Sequence, residues 1–293
     1  MVDSVVKTRV AIGLTLIAVF SALLISDHVR DSALCFHLIV LGAVVFGLRE
    51  FAVLATAAGS PVKAGPLMAF GGAVVLLPLL EQELGLRGLG ELVPAVVIAW
   101  FFALVFPALR FQPSREVFRG LTAGLFGLVY IAVLASYVQK VRALPGHGVG
   151  EAAMLYTVVI AKGTDIFAFF AGKYLGRTKF IPHISPGKTV AGFVGGMAGA
   201  LIITLAFVAW TPLGLCLEWR FAPAFAILLG LVVVAGDLVE SLIKRSAEIK
   251  DSAKLLPAFG GVLDVIDSIL AAAPFVYYGL VGLRRLSEVQ AGL

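Results

Sequence analysis

The chain has 293 residues, of which 60% are hydrophobic and only 14% charged, and its mean hydropathy is +1.02. A soluble domain carries about 25% charged residues, so this composition excludes a water-soluble fold and requires a lipid-embedded one. The net charge of +5 sits in short clusters, with no long basic run and no basic stripe interleaved with aromatics. That excludes nucleic acid as a partner and points to loops facing anionic membrane lipid.

In chain order, apolar segments occupy about 9–26, 33–48, 64–80, 92–109, 118–137, 152–171, 192–213, 222–240 and 262–282. Each approaches the roughly 20 residues that a membrane span needs. Backbone polar groups in lipid must be satisfied within the segment, so these spans are helices. The reading is an all-α, polytopic integral membrane bundle of about nine transmembrane helices. The first run follows Lys7 and Arg9 as a signal peptide would, but it is long for an apolar leader core and lacks a small-x-small cleavage site. It is read as the first membrane helix. Glycines in 64–80 and 118–137 indicate close helix packing rather than breaks. About five of the helices fall in residues 1–150 and the rest, with long polar loops, in 151–293.

Cys35 and Cys216 are isolated and read as small buried hydrophobes. His28, His37, His147 and His183 share no ligand spacing and read as interfacial or loop residues. With the N-terminus inside, 15 of the 23 lysines and arginines lie on the cytoplasmic side and 7 on the other, with Lys162 inside a span. The positive-inside rule therefore favours a cytoplasmic N-terminus and an external C-terminus.

A charge at membrane depth is costly and marks a functional candidate. Asp165 and Asp237 lie near the cytoplasmic ends of two inward-running helices, and Asp264 and Asp267 lie in the first turns of the last helix, three residues apart on one face. Hard oxygen donors from three helices at one depth suit Mg²⁺. The alternatives are helix-end carboxylates, partners of helix N-termini and pairing with Lys162.

Beside these acids lie two polar loops. One runs through Gly172-Lys173, Gly176-Arg177, Ser185-Pro186-Gly187-Lys188-Thr189 and on to Gly192, Gly195 and Gly196. Glycines let backbone amides approach phosphate, lysine and arginine bring charge, and serine and threonine bring donors. A positive-inside loop would have a similar composition. The other continues the helix bearing Asp237 through Glu240, Ser241, Lys244 and Arg245 to Lys250, Asp251, Gly260 and Gly261. Positions 237, 240, 241 and 244 form one polar helical face, which requires a wet cleft or interface.

The stretch Ser241-Leu-Ile-Lys244-Arg245, four residues, Lys250-Asp251, then Leu256-Pro257-Ala-Phe259-Gly260-Gly261-Val-Leu-Asp264-Val265-Ile266-Asp267 resembles the signature of the CDP-diacylglycerol synthase (phosphatidate cytidylyltransferase) family over 27 positions. Thr164-Asp165, Gly172-Lys173, Gly176-Arg177 and Ser185-Pro186-x-Lys188-Thr189 are similar to a second block of that family. The chain departs from the pattern at Phe259, Val265 and Ala191, where the family has His, Arg and commonly Glu. Loss of the His removes a proton carrier, and loss of the Arg removes a bidentate phosphate contact.

The resemblance implies a metal-dependent transfer of a cytidylyl group from CTP to phosphatidic acid in phospholipid biosynthesis, giving CDP-diacylglycerol and pyrophosphate. It implies Mg²⁺, with room for a second cation, on Asp237, Asp264, Asp267 and Asp165. Phosphate neutralisation would fall to Lys188, Lys244, Arg245 and Lys250, and substrate contacts to Ser185, Ser241, Lys173, Arg177, Thr189, Gly260 and Gly261. It further implies a bacterial inner (plasma) membrane with the site facing the cytoplasm, and leaves room for a homodimer. Three other readings stay open: a related CTP-dependent transferase acting on another lipid phosphate or a polyprenol, a transporter, and an inactive membrane homologue.

Overall fold

The computed structural model describes residues 26–27, 32–112, 114–249 and 261–290. Its helices are α1 (Leu34–Ala57), α2 (Ala64–Leu84), α3 (Val93–Ala108), α4 (Arg115–Gly127), α5 (Leu134–Arg142), α6 (Val149–Leu175), α7 (Val190–Trp210), α8 (Ala222–Ser246) and α9 (Val262–Gln290). A π-helical stretch, Leu128–Val133, joins α4 and α5 into one membrane-length rod, and a 3₁₀ turn, Leu89–Leu92, precedes α3. Among the described residues, eight helical segments are long and apolar enough to cross a membrane, each at the place the hydropathy predicts. The predicted span 9–26 lies outside the described residues. The protein is thus a polytopic membrane bundle. Apolar side chains such as Phe102, Phe106 and Trp210 stand exposed on its helices, as lipid contact requires.

The helices pack as two units, residues 1–139 with 243–266, and residues 140–242 with 267–293. In the first unit, α1 and α2 pair closely. A Cβ at Gly71 would collide with Leu48, and one at Gly127 would collide with Phe51. Pro78 sits inside α2, where its missing N–H leaves carbonyls of the preceding turn short of donors. The Gln139 amide donates to the Val75 carbonyl at 3.0 Å and to Nδ1 of His37 at 2.7 Å. The second His37 nitrogen meets Gln82 Oε1 at 3.1 Å, and the ring is fully buried. The interfacial or loop assignment of His37 is therefore corrected: a polar cage inside the helix bundle satisfies both ring nitrogens.

In the second unit, α6 and α7 pack extensively. Gly195, Gly196 and Gly199 bring α7 against Ala171, Ala168, Thr164 and Phe167 of α6 so closely that added methyl groups would collide or press tightly. This is the small-residue packing by which membrane helices adhere where hydrophobic burial offers little drive. Between the two helices the chain forms an antiparallel hairpin, β1 (Lys179–Ile181) and β2 (Ser185–Thr189), pairing Lys179 with Thr189 and Ile181 with Ser185. Composition predicts only a loop there.

Candidate functional site

The hairpin sets the site. Phe180 stacks on Phe193 of α7 with ring centroids 4.8 Å apart, and Val190 N–H donates to the Thr178 carbonyl at 3.0 Å. The hydroxyl of Thr189, buried, accepts from Gly192 N–H at 3.1 Å and caps α7. Glycine is required opposite it, since a Cβ on Gly172 would lie 2.9 Å from the Thr189 hydroxyl. These contacts leave Lys188 half-buried, one residue before the cap, where it forms an ion pair with Asp237 of α8.

A cavity of about 650 Å³ opens between α6, the hairpin, α7 and α8. It is lined by Asp165 and Lys173 of α6, Ser185, Lys188 and Thr189 of β2, and Asp237 of α8. Six residues singled out in two distant stretches of sequence thus converge on one cavity, of a size typical of small-molecule sites. Lys173 is exposed, with its ammonium 5.5 Å from the centre of the Tyr174 ring.

Asp237, Glu240 and Asp267 offer carboxylate oxygens that all lie within 4.8 Å of one another. Asp237 and Glu240 are one turn apart on α8, and Asp267 comes from the second turn of α9; Glu240 and Asp267 are buried. Gly236 lets the helices approach, because a Cβ there would lie 3.3 Å from the Asp267 carbonyl. Three oxygen donors with no nitrogen or sulfur fit a hard divalent cation. Lys162 of α6 also serves this cluster, its ammonium 3.6 Å from Asp267 Oδ1 and 3.0 Å from the Ser268 hydroxyl. Of the alternatives to metal binding, pairing with Lys162 is present at Asp267.

The remaining predicted residues are distributed as follows. In the first unit, Asp264 accepts from Lys244 Nζ at 2.5 Å through one oxygen and from Gly261 N–H at 2.8 Å through the other. Ser241 is half-buried on α8 beside Glu240, and Arg177 and Arg245 are exposed. Lys250 and Gly260 lie outside the described residues, as does Phe259. Glu240 was legible only as a member of the polar face 237–244, and nothing in its local sequence marks it as a carboxylate converging with Asp267.

The family model of the cytidylyltransferase family matches residues 7–282. A phosphatidate cytidylyltransferase of Synechocystis sp. is 31% identical over 290 residues, covering 85% of this chain and 92% of that protein. One of Bacillus subtilis is 38% identical over 152 residues, 51% of this chain and 54% of the relative, so the match spans about half of that protein's length. One of Chlamydia pneumoniae is 36% identical over 203 residues, 64% of this chain and 62% of the relative. With the model spanning nearly all of its length, the chain belongs to the cytidylyltransferase family.

Proposed function

We infer that the protein transfers a cytidylyl group from CTP to phosphatidate in the membrane, releasing pyrophosphate and CDP-diacylglycerol. The observation that carries this reading is the convergence of lysines, a serine and acids on the cavity between α6, the hairpin and α8. It is supported by family membership and by relatives bearing the name phosphatidate cytidylyltransferase.

In the reaction, an oxygen of the lipid phosphate forms a bond to the α-phosphorus of CTP, and the bond from that phosphorus to the α–β bridging oxygen breaks. The nucleophile is already an anion at neutral pH, so no strong general base is needed. That makes phenylalanine in place of histidine at position 259 tolerable. The chain's task is to position two polyanions and neutralise them. Lys188, released from Asp237 by an arriving phosphate, and Lys173 at the cavity wall supply positive charge, and Ser185 supplies a donor. By the family resemblance, Lys244, Arg245 and Lys250 would add positive charge for the phosphates, with Ser241, Arg177, Gly260 and Gly261 as further substrate contacts. Thr189 holds the hairpin against α7 and so fixes Lys188. Asp237, Glu240 and Asp267 would hold Mg²⁺, with Asp165 at the cavity available to a second cation; Asp264 is a candidate ligand by the family resemblance alone. Bound there, Mg²⁺ draws charge off the triphosphate and the leaving pyrophosphate. The site faces the cytoplasm of a bacterial inner membrane, where CTP is found.

The test is transfer of label from α-³²P-CTP by purified protein in detergent with Mg²⁺. Label entering the lipid phase with phosphatidic acid, and not with a polyprenyl phosphate, is the expected result. Transfer to polyprenyl phosphate alone would replace phosphatidate with another lipid phosphate. No transfer to any lipid phosphate would overturn the reading.

A further inference from the structure

Lys162 is a cation within a membrane-length helix, in the same unit as the acidic cluster. Its ammonium is held from two sides, by the Ser268 hydroxyl at 3.0 Å and by Asp267 Oδ1 at 3.6 Å. Asp267 is one of the three carboxylates within reach of a common ion, and a second, Asp237, is engaged by Lys188. Two of the three acids therefore already carry a cation from the chain itself. A divalent ion that takes the Asp267 oxygen must come close to a fixed positive charge or displace it.

We propose that Lys162 is a built-in counter-cation of the acidic centre, holding Asp267 while no metal is bound and keeping the substrate-free protein's affinity for divalent cations low. The proposal rests on the metal-centre reading above. Lys162 is a positioning residue: tethered to Ser268, it orients Asp267 and prevents the acids from repelling one another apart. An arriving triphosphate offers the lysines a competing anion and frees carboxylate oxygens for the metal. Metal and nucleotide therefore bind cooperatively, each raising the other's affinity by the same factor.

The test is Mn²⁺ binding to the full-length protein in detergent, read by electron paramagnetic resonance with and without CTP. Two charge-removing variants, Lys162→Met and Lys162→Gln, are compared with Lys162→Arg and with the wild type, and melting temperature reports folding. Removing a unit charge a few ångströms from a divalent ion in a partly buried site should tighten Mn²⁺ binding without nucleotide by about tenfold or more. Lys162→Arg should stay near wild type, and CTP should strengthen Mn²⁺ binding less in Lys162→Met than in the wild type. Unchanged or weaker Mn²⁺ binding in whichever of the Met and Gln variants folds would overturn the proposal. Failure of the metal-centre reading has a separate signature: wild type that binds no Mn²⁺ even with CTP present, which would remove both.

Discussion

Glu50 of α1 and Leu263 of α9, 213 positions apart in sequence, meet through a hydrogen bond of 2.9 Å from the Leu263 N–H to Glu50 Oε2. The other carboxylate oxygen accepts from Val262 N–H, also at 2.9 Å, and the glutamate is 4% exposed. The first turn of a helix has N–H groups without intrahelical partners and a positive dipole end, and a buried carboxylate meets both needs. It fixes the start of the helix that carries Asp264 and Asp267.

Replacing Glu50 with leucine leaves the buried Leu263 N–H and the part-buried Val262 N–H unmet, a loss of about 1–3 kcal/mol for a fully buried group. A lowered melting temperature in detergent is expected for Glu50→Leu, with a smaller loss for Glu50→Gln, which keeps one acceptor. Equal melting of Glu50→Leu and wild type would show that the cap does not hold α9.

Asp264 and Lys244 form the most enclosed ion pair among the described residues, with side chains 13% and 16% exposed. Breaking an enclosed pair by removing one partner costs up to roughly 3–5 kcal/mol. Asp264→Asn and Lys244→Met should each lower stability and turnover, and the double variant should lose much less than the sum of the two. The coupling is expected to exceed about 1 kcal/mol, well above the 0.3–0.5 kcal/mol within which independent sites add. Strictly additive losses would mean that Asp264 acts apart from Lys244, as a ligand to a second cation would.

The excess of positive charge on one side predicts that the hairpin faces the cytoplasm. The test places a single cysteine at 188 or at 293 in a chain whose native Cys35 and Cys216 are replaced. In intact cells an impermeant maleimide should label position 293 and leave position 188 unlabelled until the membrane is opened. Labelling of 188 from outside would invert the topology.

Helix positions were legible because a membrane span is a local property: twenty apolar residues suffice, and every described span lies where hydropathy puts it. The cavity was legible for a different reason. Asp165, Lys188 and Asp237 stand out as polar residues that lipid would exclude, and the helix ends return them to one place. What stayed hidden depends on distant partners. Nothing in the sequence around Glu50 marks it as a cap until Val262 and Leu263 are placed against it. Glu240 reads as one more residue on a polar face until Asp267 approaches. The hairpin was missed because strands of three and five residues rich in glycine, proline and charge carry no strand pattern; Phe180 against Phe193 holds them.

If Asp237, Glu240 and Asp267 form one divalent-metal centre for cytidylyl transfer, each of the three carboxylates is needed for turnover. The direct measurement is the initial rate of label transfer from α-³²P-CTP to phosphatidic acid at saturating Mg²⁺ for Asp237→Asn, Glu240→Gln and Asp267→Asn, each checked for wild-type expression and melting. Loss of one electrostatic contact to a transition state typically costs about 10²- to 10³-fold, and each variant should lose at least that much. Near-normal transfer by a folded Asp267→Asn or Glu240→Gln protein would contradict the account.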